Sequence, residues 1–216
     1  MAPQIGVVFI LSMNETFNKK ENSNLILASS SPRRKELLTK AGFNFTVFIP
    51  KGEELNITGK TFSEDLLNEC VKKKAENAYN ELILEYNKTN TNNKILDKTI
   101  ITCDTIVVND NIIIGKPKNK EDAINTLRSL SNKKHFVASA VCVFKDNNYS
   151  IGQEKTFITF KDLSNKQIEE YVEKYMPLDK AGSYGIQDEN FDFVKEIDGN
   201  IDNVIGLPMT TLKKLL

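Results

Sequence analysis

The sequence predicts an α/β or α+β domain built on a mixed sheet. In the first half, β-rich apolar runs are interrupted by capped amphipathic segments. In the second half, β-rich runs follow one another across Asn/Asp turns, as hairpins do. The first pattern calls for parallel crossovers and the second for antiparallel pairs, so one sheet should carry both. At 216 residues the chain is one ordinary domain or two small lobes, long enough to bury about 70% of its unfolded surface.

The first strand is expected at Leu25-Ile26-Leu27-Ala28. Three serines and Pro32 follow. Ser31 is a natural N-cap and Pro32 suits the first helical position, where no amide donor is needed. Leu37, Leu38 and Ala41 give that helix an apolar face, and Gly42 can end it. Arg33 and Arg34 are anomalous, because cations in a first turn are opposed by roughly 0.3–1 kcal/mol each. Either an anion sits there, held by amides, hydroxyls and guanidiniums, or the arginines reach into solvent.

Phe43 to Ile49 reads as a strand and Lys51-Gly52-Glu53-Glu54 as a turn with adjacent carboxylates. Thr61-Phe62-Ser63-Glu64 has capping-box spacing, and the helix it starts should run to about Glu85 on a stripe of Leu67, Val71, Ala75, Ala78 and Leu82. Lys74 lies beside that stripe, so it either snorkels out at the rim or points into a cleft. Asn87 to Lys98 is asparagine-rich and reads as an exposed loop.

Thr99 to Val108 is a β-rich run with Asp104 at its middle. A carboxylate there is costly to bury without a metal, a cation or neighbouring amides. Asn109-Asp110-Asn111 turns the chain into Ile112 to Ile114, delivering Gly115-Lys116-Pro117 to a strand end. Asn119 caps a helix over Glu121 to Leu130, whose first turn carries the acids that the first helix lacks.

His135 to Phe144 and Gln153 to Phe160 read as paired strands across the Asp146-Asn147-Asn148 turn, with His135 a structural or exposed histidine. Ser164 to Gln167 is another capping box, and its helix must end before Pro177. Asp179 to Gln187 is a loop whose glycines would let a ligand approach the backbone. Phe191 to Ile197 should be a strand and Met209 to Leu216 a last helix.

Lys+Arg and Asp+Glu balance at 29 each, so net charge gives no reason to expect nucleic acid as a partner, and any anion site must be local. Three scattered cysteines, Cys70, Cys103 and Cys142, with one histidine exclude a structural zinc site and favour the reducing cytosol. Ile5 to Leu11 is too short to span a membrane and lacks the basic flank of a signal peptide. Residues 1–24 are therefore expected to be an extension and 25–216 the working domain, with no membrane partner.

The Ser29 to Arg34 turn, Glu53-Glu54, Lys74, Asp104, Lys116 and the Asp179 to Gln187 loop place polar groups among apolar elements. Brought together, they would set several cations against a few carboxylates, which is how a polyphosphate and its Mg²⁺ are held. Glu54 and Asp104 suit the metal, and a carboxylate beside an attacking water can take its proton.

Leu25 to Leu38, LILASSSPRRKELL, resembles the signature of the Maf family of nucleotide pyrophosphatases. Asp104-Thr105, Gly115-Lys116-Pro117, Leu130-Ser131 before His135, Asp179 to Gln187 and Asn203 to Pro208 match further motifs in order. The resemblance implies a two-lobed α/β fold similar to that of inosine triphosphate pyrophosphatases, with the site in the cleft between lobes and a homodimer among its partners. It implies hydrolysis of a nucleoside triphosphate to monophosphate and pyrophosphate with a divalent metal, Mg²⁺ or Mn²⁺. By that analogy Asp104 accepts the water proton, Glu54 helps hold the metal, and Ser31, Arg34, Lys74, Lys116 and Lys180 line the phosphate path.

Arg33, Thr105 and Gln187 stand at the places thought to set base preference, in a combination that resembles the dTTP and UTP subgroup. The same reaction on 7-methyl-GTP and a nucleotide-binding regulator of growth or division are the competing expectations. The chain departs from the family pattern at Thr102-Cys103, where Gly-Ala commonly precedes the aspartate.

Overall fold

A computed structural model describes residues 24–88 and 97–216. The expected extension, apart from Asn24, and residues 89–96 of the asparagine-rich loop lie outside them. The element order is β1 (Leu25–Ala28), α1 (Pro32–Lys40), β2 (Thr46–Phe48), α2 (Glu64–Lys88), β3 (Thr99–Asn109), β4 (Ile112–Ile114) and α3 (Lys120–Leu130). It continues with β5 (Lys134–Lys145), β6 (Asn148–Phe160), α4 (Asn165–Tyr175), a 3₁₀ turn (Ala181–Ser183), β7 (Val194–Asp198), α5 (Ile201–Ile205) and α6 (Met209–Leu215).

The seven strands form one mixed sheet in the order β2-β1-β3-β5-β6-β7, with β4 also paired to β3. β1 is parallel to β2 and β3, the remaining pairs are antiparallel, and α1 and α2 supply the crossovers. Asp110 and Asn111, and again Asp146 and Asn147, have positive φ. Two consecutive left-handed residues match the twist of the strands they join, and Asp and Asn tolerate that conformation.

The α2 stripe is buried as expected and packs with Ile26, Ile100, Ile106 and Val108 on one sheet face. The opposite face holds two clusters. Leu27, Ile101, Cys103 and Val141 pack with α1 and α6, while Val107, Val137, Ile158 and Phe160 pack with α3 and α4. Between them Thr105 pairs with Ser139, which pairs with Glu154, a polar belt across three strands. Three packed clusters are thus carried on one continuous sheet.

α5 lies over that belt. Asn203 is fully buried, and its Nδ2 donates to Val137 O and Thr156 Oγ1, both at 3.0 Å. Ser139 Oγ donates to Asn203 O at 3.0 Å.

Several boundaries depart from expectation. Ser63, not Thr61, caps α2, its Oγ accepting from Leu66 N at 3.2 Å. Thr61 is instead held in a β-bridge to Ile112. Helix α2 continues through Lys88, three residues past the expected end. β2 is only three residues long, because Phe43 and Phe45 turn into the α1 cluster. β6 begins at Asn148, five residues earlier than expected, and β7 starts at Val194 rather than Phe191. Phe191 packs among the aromatic rings beside α4. α5 had no counterpart in the sequence reading. Ser164 and Gln167 form the expected capping box. No helix among the described residues is long and apolar enough to cross a membrane.

Candidate active site

The turn from β1 into α1 is organised by its own hydroxyls. Ser31 Oγ accepts from Arg34 N at 3.5 Å, and Ser31 N donates to Ser29 Oγ at 3.2 Å. Arg34 turns inward: Nε donates to Gly206 O at 2.8 Å, Nη1 to Ser29 Oγ at 3.1 Å and Nη2 to Thr105 Oγ1 at 3.3 Å. It ties α1 to β3 and to the bend between α5 and α6. Three of its five N–H groups are engaged there, leaving two for the cavity.

Arg33 meets a carboxylate rather than solvent. Its Nη1 lies 2.9 Å from Asp179 Oδ2, and Lys180 Nζ lies 2.9 Å from Asp179 Oδ1. Partial burial works against the ionised Asp179, but hydrogen bonds from Arg33 and Lys180 outweigh it and hold the carboxyl below its ordinary range.

Asp104 sits mid-strand on the α2 side of the sheet. Lys74, one helical turn from both Cys70 and Ala78, points into the cleft with only 15% of its side chain exposed. Its Nζ lies 3.1 Å from Asp104 Oδ1 and 3.1 Å from Glu54 Oε1. Thr105 N also donates to Asp104 Oδ1, at 3.1 Å. Asp104 Oδ2 and Glu54 Oε2 accept no hydrogen bond from the described residues.

Among the described residues no group of three or more His, Cys, Asp or Glu is arranged to hold a metal. Two carboxylates, each with an uncommitted oxygen, fit Mg²⁺ or Mn²⁺ once phosphate oxygens and water complete the shell, because Mg²⁺ typically takes one or two protein carboxylates.

Two cavities adjoin here. The polar one is lined by the Ser29–Arg34 turn, Glu53, Glu54, Lys74, Asn77 and Asp104. The second has an apolar wall of Val107, Val137, Ala181, Tyr184 and Ile186, with Thr105, Lys180 and Gln187 on its margin. Arg33, Lys116 and Asp179 line both, so the cavities meet at these three side chains. Lys116 has no carboxylate within ion-pair distance among the described residues.

The loop after α4 is shaped by close approaches. Gly182 has φ +70°, and a Cβ there would lie 2.7 Å from Val107 Cγ2. Its N–H donates to Gly115 O at 3.2 Å, fastening the loop to the segment that carries Lys116. Tyr171 OH accepts from Gly185 N at 2.9 Å and donates to Asp188 Oδ2 at 2.5 Å. Buried His135 bonds Tyr184 OH through Nε2 at 3.0 Å, behind the cavity wall, and burial pushes its pKa down to about 4. It is structural, as expected.

The structure therefore brings Ser31, Arg33, Arg34, Glu54, Lys74, Asp104 and Lys116 to one cavity and Thr105, Lys180 and Gln187 to the other. Thr105 Oγ1 is within 2.9 Å of Ser139 Oγ and 3.2 Å of Gly206 O, so its hydroxyl braces the wall. The sequence reading missed Asp179 as the meeting point, Asn77 on α2 and Gly206 O as the anchor of Arg34. Its place at the head of the Asp179 to Gln187 loop, directly before Lys180, was the signal for the first. Thr102 and Cys103 are accommodated by local bonds, Thr102 Oγ1 to Val71 O at 2.8 Å and Cys103 Sγ to Gly206 O at 3.2 Å.

Comparison with known proteins adds a family match and close relatives. The family described as Maf-like protein matches residues 24–216. A dTTP/UTP pyrophosphatase of Aquifex aeolicus is 38% identical over 192 residues, covering 89% of this chain and 93% of that protein. One from Agathobacter rectalis is 41% identical over 196 residues, covering 88% and 94%. One from Phocaeicola vulgatus is 39% identical over 205 residues, covering 90% and 97%.

Proposed function

The chain belongs to the Maf-like protein family, and from that membership we propose that it hydrolyses nucleoside triphosphates, dTTP and UTP above all, to monophosphate and pyrophosphate. The observation that carries the reading is the meeting, at Arg33 and Lys116, of a cation- and carboxylate-lined cavity with a second one that has an apolar wall and a polar margin. A triphosphate needs the first and a nucleoside the second.

In this reading Asp104 is the general base. Lys74 and Thr105 N hold its Oδ1, which leaves Oδ2 to take a proton from water. The water oxygen bonds to the α-phosphorus as the bridging bond to the β-phosphate breaks, and pyrophosphate leaves with the electron pair. Arg33, Lys74 and Lys116 face the charge that grows on the leaving group. Glu54, beside Asp104, would hold a divalent metal together with phosphate oxygens and water, which leaves Asp104 Oδ2 to the proton; the metal when bound supplies further neutralisation of the phosphates. Lys74 stands between those carboxylates and keeps them together beforehand.

Gln187 offers an amide donor and acceptor to a pyrimidine edge. Three free, buried cysteines suit a cytosolic setting. The test is pyrophosphate release from dTTP, UTP and 7-methyl-GTP with Mg²⁺ and with Mn²⁺. Preference for 7-methyl-GTP would move the chain to the purine reading, and tight binding without release would make it a nucleotide-binding regulator.

A further inference from the structure

A cation pair, Arg33 at the junction of the cavities and Lys180 on the apolar-walled side of it, is already engaged by a carboxylate. Arg33 comes from the first turn of α1, where its charge opposes the helix dipole, and Lys180 comes from the loop after α4. One carboxylate, Asp179, takes one oxygen to each at 2.9 Å. The Lys180 side chain is 14% exposed and its stem lies against Gly185, where an added Cβ would be 2.8 Å from Lys180 Cε. Asp179 is the more open partner, with 58% of its side chain exposed. A carboxylate is a fair stand-in for a phosphate oxygen pair on a guanidinium. Lys116, at the same junction, has no such partner among the described residues.

We propose that Asp179 is a specificity-determining residue that competes with bound phosphate for Arg33 and Lys180 and so makes the site release short anions, pyrophosphate and nucleoside monophosphate. The inference rests on the functional reading above. A triphosphate spans the junction, reaches Lys116 and the polar cavity as well, and gains enough contacts to displace the carboxylate. Each product alone spans less and competes poorly with an anion that is covalently part of the site. Discrimination here comes from a repulsive element beside the attractive ones.

Removing one negative charge a few ångströms from a bound phosphate at a solvent-facing site should tighten that phosphate by about five- to tenfold. The experiment is calorimetric binding of inorganic pyrophosphate and of dTMP to the full-length wild type and to Asp179→Asn. The Arg33→Gln and Arg33→Gln/Asp179→Asn variants complete a double-mutant cycle. Expected are five- to tenfold tighter binding of both probes by Asp179→Asn, a parallel fall in the pyrophosphate inhibition constant, and loss of most of the gain when Arg33 is already absent. Unchanged or weaker binding by Asp179→Asn overturns the inference, as does a gain independent of Arg33.

Asp179→Ser provides the same reading if the asparagine variant does not fold. Wild-type turnover of dTTP is scored separately. Its absence rejects the functional reading, whereas turnover with unaltered pyrophosphate binding in Asp179→Asn rejects only the role given to Asp179.

Discussion

Lys74 Nζ stands 3.1 Å from both Asp104 Oδ1 and Glu54 Oε1, one ammonium shared by a carboxylate from a central strand and one from a surface turn. Asp104, with 20% of its side chain exposed mid-strand, finds in that ammonium the opposite charge that offsets its partial burial. The same ammonium fixes which carboxyl oxygen is free to work.

Asp104→Asn keeps the shape of the side chain and removes its basicity. Turnover of dTTP should fall about 100-fold or more, the usual contribution of a positioned base, with the thermal midpoint little changed. Turnover within a few-fold of wild type would remove Asp104 from the base role. Steady-state kinetics with a thermal melt on each variant make the comparison.

Arg34→Met should act first on stability. It strips donors from Gly206 O, Ser29 Oγ and Thr105 Oγ1 in a half-buried seam. A cost of about 2–3 kcal/mol is expected, roughly 4–12 °C in Tm for a chain of this size. Arg34→Lys should recover only part, because one ammonium cannot reproduce a fork that reaches three acceptors. Urea unfolding of the three proteins measures both effects.

The single histidine gives a pH dependence of definite sign. Burial lowers the His135 pKa from 6.5 to about 4, so between those values the unfolded chain binds a proton that the folded chain refuses. Stability contributed by keeping this ring neutral is therefore present above about pH 6.5 and lost as pH falls towards 4. The loss amounts to at most about 3 kcal/mol at 1.36 kcal/mol per unit. Urea midpoints from pH 7 to 4.5 should fall less steeply in His135→Gln than in the wild type.

All three thiols should be inert in the native protein. Burial pushes Cys70 up to about 11 and Cys142 up to about 12, and raises Cys103 as well. Alkylation at pH 8 should run at least about 100-fold slower than in denaturant, since the thiolate is the reacting form. Mass spectrometry of timed quenches checks this for each thiol, Cys103 next to Asp104 included.

Local chemistry was readable in the chain. Ser31 with Pro32, the Ser164–Gln167 capping box, the α2 stripe and the Asp/Asn turns act over a few residues, so spacing alone determined them. Asp104 and Lys74 were also visible, as charges where an apolar pattern does not tolerate them. Where two local signals competed, the fold chose. Thr61 and Ser63 could each cap α2, and the bridge to Ile112 took Thr61 away. α5 escaped notice because five residues give too little periodicity and Asn200 makes no side-chain cap bond.

Partners far apart in sequence were decided only by the tertiary structure. Arg33 and Asp179 are 146 residues apart, and Arg34 and Gly206 are 172 apart. No local rule reaches that far. Sheet order and register set these meetings: β3 beside β5 puts Thr105 opposite Ser139, α5 closes over that belt, and the bend after it presents Gly206 O to Arg34. The amino-acid sequence thus named the charged groups that need partners, and the packing of one sheet between its helices determined which partners they found.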